Sequence, residues 1–396
     1  MKLSTPIILI LLFVSTFLLS VSVGANAVII PVFVEGDEAF DAFSKTLILS
    51  MEAFVAIGMS LALPRLLRRI GIRATLFAAA GVRIGASGLM SWFTDVPNWI
   101  LGSLCLGGGT FLYLLLIQIC LSNVEIRRKK GLIYSLFGVI ISLGIAVGPL
   151  ALEKLDALLT LSGLAEYVAN LGLPAVGTQL IFSALLTAIS LLPFFLGRSM
   201  VPPIQEIPAF SVWKLVRENK DVLFAVALCG ISFMGVSWYI TIYGLHSGLK
   251  LNQAPYLLSA FMLGSICLDT PLSFLAEYVN RKVMLVLSAL LCSILAIFIP
   301  LAIYDFTQAC ALLFVWGGLV SGMYSNCLVL LELKYKNQNV VATNTVFSLM
   351  ENIGGAIGLT LIGIFLQEGF NNGFSYLIIA ACLVYFTLVL NWYKPN

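Results

Sequence analysis

The sequence predicts an all-α membrane protein: twelve transmembrane helices in two pseudo-symmetric six-helix halves. Three observations predict it. Of 396 residues, 60% are hydrophobic and 10% charged, whereas a soluble domain carries about 25% charged residues. The mean hydropathy is +1.03. The apolar residues gather into runs near the ~20 residues that cross a bilayer at 1.5 Å per residue. Glycine-bearing segments of the first half recur in the second at a nearly constant offset.

The runs are 6–33, 44–63, 74–93, 98–121, 131–152, 176–197, 221–244, 254–275, 283–303, 308–330, 341–366 and 374–393. The first has a rival reading as a signal peptide, because Lys2 precedes it and Ala25-Asn26-Ala27 resembles a cleavage site. It is longer than a usual signal core and more spans follow, so it is taken as the first helix.

Basic residues set the orientation. With the N-terminus inside, the inside segments hold 18 of the 22 Lys and Arg, including Arg65, Arg68, Arg69 and Arg73, and Arg127 to Lys130. Cytoplasmic loops carry this excess, so both termini are expected in the cytoplasm and the protein in the cytoplasmic membrane. The segment "VEGDEAFD", 34–41, is acidic and falls outside.

The halves repeat. "FGVIISLGIAVGPL", 137–150, aligns with "FSLMENIGGAIGLT", 347–360, so that Phe137, Gly144 and Gly148 match Phe347, Gly354 and Gly358 at an offset of 210. Gly107-Gly108 matches Gly317-Gly318 at the same offset, basic segment 64–73 matches 273–282 at 209, and Gly24 matches Gly235 at 211. The expected organisation is an N-terminal half 1–197, a cytoplasmic linker 198–220 with Pro202, Pro203 and Pro208, and a C-terminal half 221–396. Duplicated halves around a midplane site are a transporter architecture.

At this point the chain resembles the major facilitator superfamily. That family carries G-x-L-a-D-r-x-G-r-k between its second and third helices and a degenerate copy between the eighth and ninth. Here "SFLAEYVNRK", 273–282, matches Leu275, Ala276, the acid at Glu277, and Arg281-Lys282, with Asn280 in the glycine position. Asn also visits left-handed turns, so the change is tolerable. "PRLLRRIGIR", 64–73, keeps Leu66, Arg69, Gly71 and Arg73, but Arg68 stands where the family has its acid. These are the expected gating loops. The helix 5 pattern G-x-x-x-G-P-x-x-G-G is partly present as Gly144, Gly148 and Pro149, with Leu152 and Glu153 in place of the final glycines. The arginine usual in helix 4 is Ser103 here.

A charge at the centre of a span costs roughly 2.5–3.5 kcal/mol on insertion scales, which makes intramembrane charges functional candidates. Glu351 is expected about 15 Å deep in the eleventh helix, on one face with Gly354, Gly355 and Gly358. It reads as a proton-binding carboxylate or as a hydrogen-bonded packing acid. Glu52 and Arg83 are expected at similar depth, as a buried pair that is either static or functional. Asp269 is shallower, about 7.5 Å from the inner end. It reads as an interfacial acid or as a gating or proton residue. Pro271 follows it and frees the carbonyl of Cys267. Asp269 and Glu277 are separated by about 12 Å of rise and hardly share one coordination site.

The resemblance implies that helices 2, 5, 8 and 11 line the interface between halves, which places Glu52, Asp269 and Glu351 there. It implies a cavity from helices 1, 4, 7 and 10, whose candidates are Asn26; Tyr113 and Gln118; Trp238 and Tyr239; and Trp316, Tyr324 and Asn326. Aromatics with a few polar groups suit an apolar or amphiphilic small molecule.

The function expected is secondary active transport of a small organic molecule by alternating access, with protons as the coupling ion and export as the direction. An uptake permease or a non-transporting sensor is the alternative. No G-x-x-x-x-G-K-[ST] or H-E-x-x-H occurs, so neither a built-in ATPase nor a zinc hydrolase is indicated. His246 is the only histidine, and none of the eight cysteines forms a C-x-x-C. No metal or cofactor is expected, no nucleic-acid partner follows from a net charge of +3, and the expected state is a monomer in lipid.

Overall fold

A computed structural model describes residues 5–122, 130–161, 174–196, 212–335, 340–368, 370 and 372–392. Among these, twelve helices are long and apolar enough to cross a membrane. They are α1 (Pro6–Gly36), α2 (Ala42–Leu63), α3 (Arg65–Trp92), α4 (Val96–Leu121), α5 (Leu136–Thr160), α6 (Val176–Phe195), α7 (Lys220–His246), α8 (Pro255–Ala276), α9 (Arg281–Ala302), α10 (Phe306–Leu331), α11 (Thr345–Leu366) and α12 (Gly373–Asn391). Helix is the natural solution because lipid offers no partner for an unpaired backbone amide.

Two boundaries depart from the expected spans. The segment 64–73, expected as a loop, continues one helical run from Ala42 to Trp92 that leaves helical geometry at Gly71 (φ 80, ψ 165). The arginines there sit on a helix that turns through a single glycine. At the other end, α5 outlasts the expected stop at 152, because the helical run continues to Leu161 with Glu153 and Asp156 on its exposed side.

The second copy of this break is at Asn280, whose φ is 103 and ψ 121. It is the one non-glycine residue with positive φ among those described. Its side chain accepts from the Lys282 amide at 3.0 Å and so caps the start of α9. Asn therefore supplies both the turn and the cap where the first copy has glycine.

The chain packs as two compact units. One comprises Met1–Ser44 and Gly58–Ile207; the other comprises Lys45–Ile57 and Pro208–Asn396. Thus α2 is divided, its first part grouping with the C-terminal helices. Within that second unit, Gly363 of α11 lies where a Cβ would come 2.7 Å from the Tyr239 hydroxyl and collide with Thr46 of α2.

In the first unit α1 crosses α5 at backbone contact. A Cβ on Gly24 would overlap the Ile145 carbonyl, one on Gly148 the backbone of Gly24 and Ala25, and one on Gly144 would lie 2.8 Å from the Phe17 carbonyl. Leu12, Leu19, Leu76, Leu116 and Phe194 are buried in its core. In the second unit α7 crosses α11 in the same way. A Cβ on Gly354 would overlap the Ala227 carbonyl, one on Gly230 would overlap the carbonyl of Glu351, and one on Gly358 would lie 3.0 Å from the Ile231 Cα. Gly144 on Phe17 and Gly354 on Ala227 sit alike at the offset of 210. In that register Gly230 lies one turn before the counterpart of Gly24, and Gly235 packs on the Ile362 side chain.

Candidate functional site

Three consecutive residues of α10 organise the polar interior of the second unit. Successive residues of a helix point about 100° apart, so Tyr324, Ser325 and Asn326 face three different neighbours. The Tyr324 hydroxyl donates to Glu351 Oε2 on α11 at 2.9 Å. The Ser325 hydroxyl donates to Asp269 Oδ2 on α8 at 3.0 Å. Asn326 Oδ1 accepts from Arg281 at the start of α9 at 3.2 Å.

Glu351 is half-buried, and among the described residues Tyr324 is its one side-chain donor. Oε1 therefore has no protein partner there. Its backbone is fixed against Gly230. Asp269 is also half-buried, but two hydroxyls hydrogen-bond it. Besides Ser325, Ser273 approaches Oδ1 at 3.4 Å, and Ser321 stands beside the same carboxylate.

The first unit holds a second polar centre. Arg83 of α3 is 1% exposed. Its guanidinium donates to Ser22 at 2.8 Å, to Thr187 at 3.1 Å and to Thr110. Ser22 continues the network to Ser183 at 2.7 Å. Gly109 permits the approach of α4, since a Cβ there would lie 3.1 Å from the Arg83 Cβ. Three neutral hydroxyls thus take N–H groups of a buried cation. Glu52 groups with the other unit, so its expected pairing with Arg83 stays a proposal.

The other expected residues divide by burial. Trp238, Tyr324 and Gln118 are half-exposed. Tyr113 is fully buried, shares a hydrogen bond with Ser15 at 3.1 Å and donates to the Ser190 carbonyl at 3.0 Å. Trp316 is fully buried and donates its indole N–H to the Cys292 carbonyl at 3.1 Å. Tyr239 is 2% exposed and Asn326 2%. Asn26 is buried with no hydrogen-bond donor to Oδ1 among the described residues. Arg68, Arg69 and Lys282 are exposed, and Arg73 donates to the Phe194 carbonyl at 3.3 Å. Gly144, Gly148 and Pro149 are buried at the α1 crossing. The Glu277 side chain, the basic loop 123–129 and linker residues 198–211 lie outside the described residues.

Sequence reasoning missed the hydroxyls: Ser22, Thr110 and Thr187 around Arg83, and Ser273 and Ser321 around Asp269. Serine and threonine sit unremarkably in apolar helices by bonding back to their own backbone. The available signal was the i, i+4 spacing of Ser321 and Ser325 and of Asp269 and Ser273.

Comparison with known proteins gives the family. The sequence profile of the Major Facilitator Superfamily matches residues 157–359 and 248–396. The chain belongs to the Major Facilitator Superfamily. It is therefore an integral membrane protein and a secondary transporter of a small-molecule substrate, not an enzyme. The crystal structure of a mutant of the nucleoside transporter NupG aligns over 98% of this chain and 100% of its own, with a TM-score of 0.76 at 15% identity. At that identity the likeness is one of fold. No curated protein matches the chain.

Proposed function

We propose that this superfamily member is a proton-coupled exporter of a small organic molecule, with Glu351 as the proton-carrying carboxylate. The observation that carries the reading is the asymmetry of that side chain: one oxygen is held by Tyr324 at 2.9 Å, and the other is left open in a half-buried position within a span. A carboxylate in a span with one free oxygen suits reversible protonation as access to water changes. Asp269, Glu52 and Arg83 are secondary candidates for the same coupling. Export rests on the partial helix 5 pattern at Gly144, Gly148 and Pro149. The cytoplasmic placement of both termini, in the cytoplasmic membrane, rests on the distribution of Lys and Arg. The protein acts as a monomer.

A ligand-stabilisation screen on the purified protein identifies a substrate, and proteoliposomes with an internal pH dye then follow proton movement when it is added. Substrate-driven proton flux in the wild type, lost in Glu351→Gln, is the expected result. Substrate movement without proton flux removes the coupling; flux that survives Glu351→Gln removes the residue. Accumulation in inside-out vesicles reads the direction.

A further inference from the structure

We infer that Asp269, with Ser273, Ser321 and Ser325, forms a sodium-ion site between α8 and α10. The inference concerns a different acid from Glu351 and does not depend on its role.

The donor set is made of oxygen alone. Ser325 lies 3.0 Å from Oδ2, Ser273 3.4 Å from Oδ1, and Ser321 stands beside the same carboxylate. Ser321 and Ser325 stand one turn apart on α10, and Ser273 one turn after Asp269 on α8, so two helices close around one carboxylate. Oxygen ligands select hard cations. One carboxylate supplies one negative charge, which suits a monovalent ion; calcium sites gather several carboxylates. Among the described residues the partners of Asp269 are these serines, with no basic side chain. Arg281 donates to Asn326.

The surroundings are built for close approach. A Cβ on Gly318 would overlap Leu268, the residue before Asp269, and would come 2.9 Å from the Gly264 carbonyl. A Cβ on Gly322 would lie 3.0 Å from Leu272. These glycines hold α10 against α8 at the level of the acid. Pro271, two residues beyond Asp269 inside the helix, cannot donate to the carbonyl of Cys267 and leaves a further acceptor in the same turn. A freed acceptor in a membrane span calls for a partner other than its helix. Each serine hydroxyl carries a hydrogen and two lone pairs. In the empty site it donates to the carboxylate; a rotation of the O–H presents a lone pair to the ion. The same three side chains therefore satisfy the acid in both states.

Thermal unfolding of the purified full-length protein tests this, in sodium, potassium and choline chloride at equal ionic strength. Sodium is expected to raise the unfolding temperature saturably, as a ligand of the folded state does. Ser325→Ala is expected to raise the half-saturating sodium concentration about tenfold or more, the size reached even by outer-shell changes at metal sites. Asp269→Asn abolishes the shift, and Glu351→Gln retains it. Ser321→Ala serves if Asp269→Asn does not fold. The site is overturned if no salt produces a shift, if potassium or choline matches sodium, or if the sodium response is unchanged in Ser325→Ala and Ser321→Ala.

Discussion

Tyr324 donates to Glu351 across 2.9 Å, and the next residue along α10, Ser325, makes the equivalent contact to Asp269. Two intramembrane acids on two helices are thus served by neighbours on a third. Movement of α10 acts on both at once.

Tyr324→Phe removes the one side-chain donor to Glu351 among the described residues while keeping the ring against Phe347, whose centroid lies 4.8 Å away. A hydrogen bond to a charged group contributes about 1.5–3 kcal/mol. Substrate-driven proton flux in proteoliposomes is expected to fall about tenfold or more, with the unfolding temperature little changed. Flux equal to the wild type would show that the contact is incidental.

Arg83 donates to Ser22, Thr110 and Thr187 through a planar fork that lysine does not reproduce. Arg83→Lys leaves at least one of Ser22, Thr110 and Thr187 without its donor, and each lost bond costs about 1 kcal/mol. A drop in unfolding temperature larger than that of Ser22→Ala or Thr110→Val alone is expected in detergent. A lysine variant as stable as the wild type contradicts the cradle.

The glycines give a paired contrast. Gly354→Ala drives a methyl into the Ala227 carbonyl, and overpacking costs about 1–3 kcal/mol. Gly85→Ala and Gly138→Ala meet nothing within 4 Å and are expected to leave folding yield and unfolding temperature unchanged or raised. Fluorescence size-exclusion yield after heating separates the two classes.

Asn280→Gly is expected to fold normally, because glycine adopts positive φ freely. Asn280→Val loses the cap to Lys282 and sets a β-branched residue at φ 103, at a cost of about 1–2 kcal/mol or more. Equal unfolding temperatures for the two variants would contradict the strained turn.

Asp41, just outside α2, accepts from the Ser44 hydroxyl and, at 3.0 Å, from its amide. The Ser44 hydrogen bonds hold its pKa below the ordinary 3.8. A depressed carboxylate pKa means that this stabilisation is fully present above the ordinary value and is lost as pH falls through the folded one. Unfolding temperature followed from pH 5 downward should decline less steeply in Ser44→Ala than in the wild type. Asp95, held low by Asn98, is expected to behave likewise with Asn98→Ala.

Much of this was legible in the residues. Span positions follow from apolar run length, and the Gly144/Gly354 correspondence from the repeat. Asn280 was readable as a glycine substitute because the motif around it fixed where the chain must turn. The helical course of 64–73 was not legible, since four arginines in ten residues read as an aqueous loop and nothing local says that the break needs only Gly71. Nor was the contact of Gly230 with Glu351, because helix crossings depend on rotation about each axis, which a constant offset does not encode. Hydroxyl partners were invisible for a related reason: Ser and Thr change apolar periodicity too little to announce a contact.

The pinned main chain of Glu351 has a mechanical consequence. Its carbonyl occupies the notch left by Gly230, so α7 and α11 behave there as one riveted bar, as α1 and α5 do at Gly148. A rivet transmits displacement but does not absorb it. At the acid the main chain is therefore the fixed part, and the side chain, with its bond to Tyr324, the part left to turn.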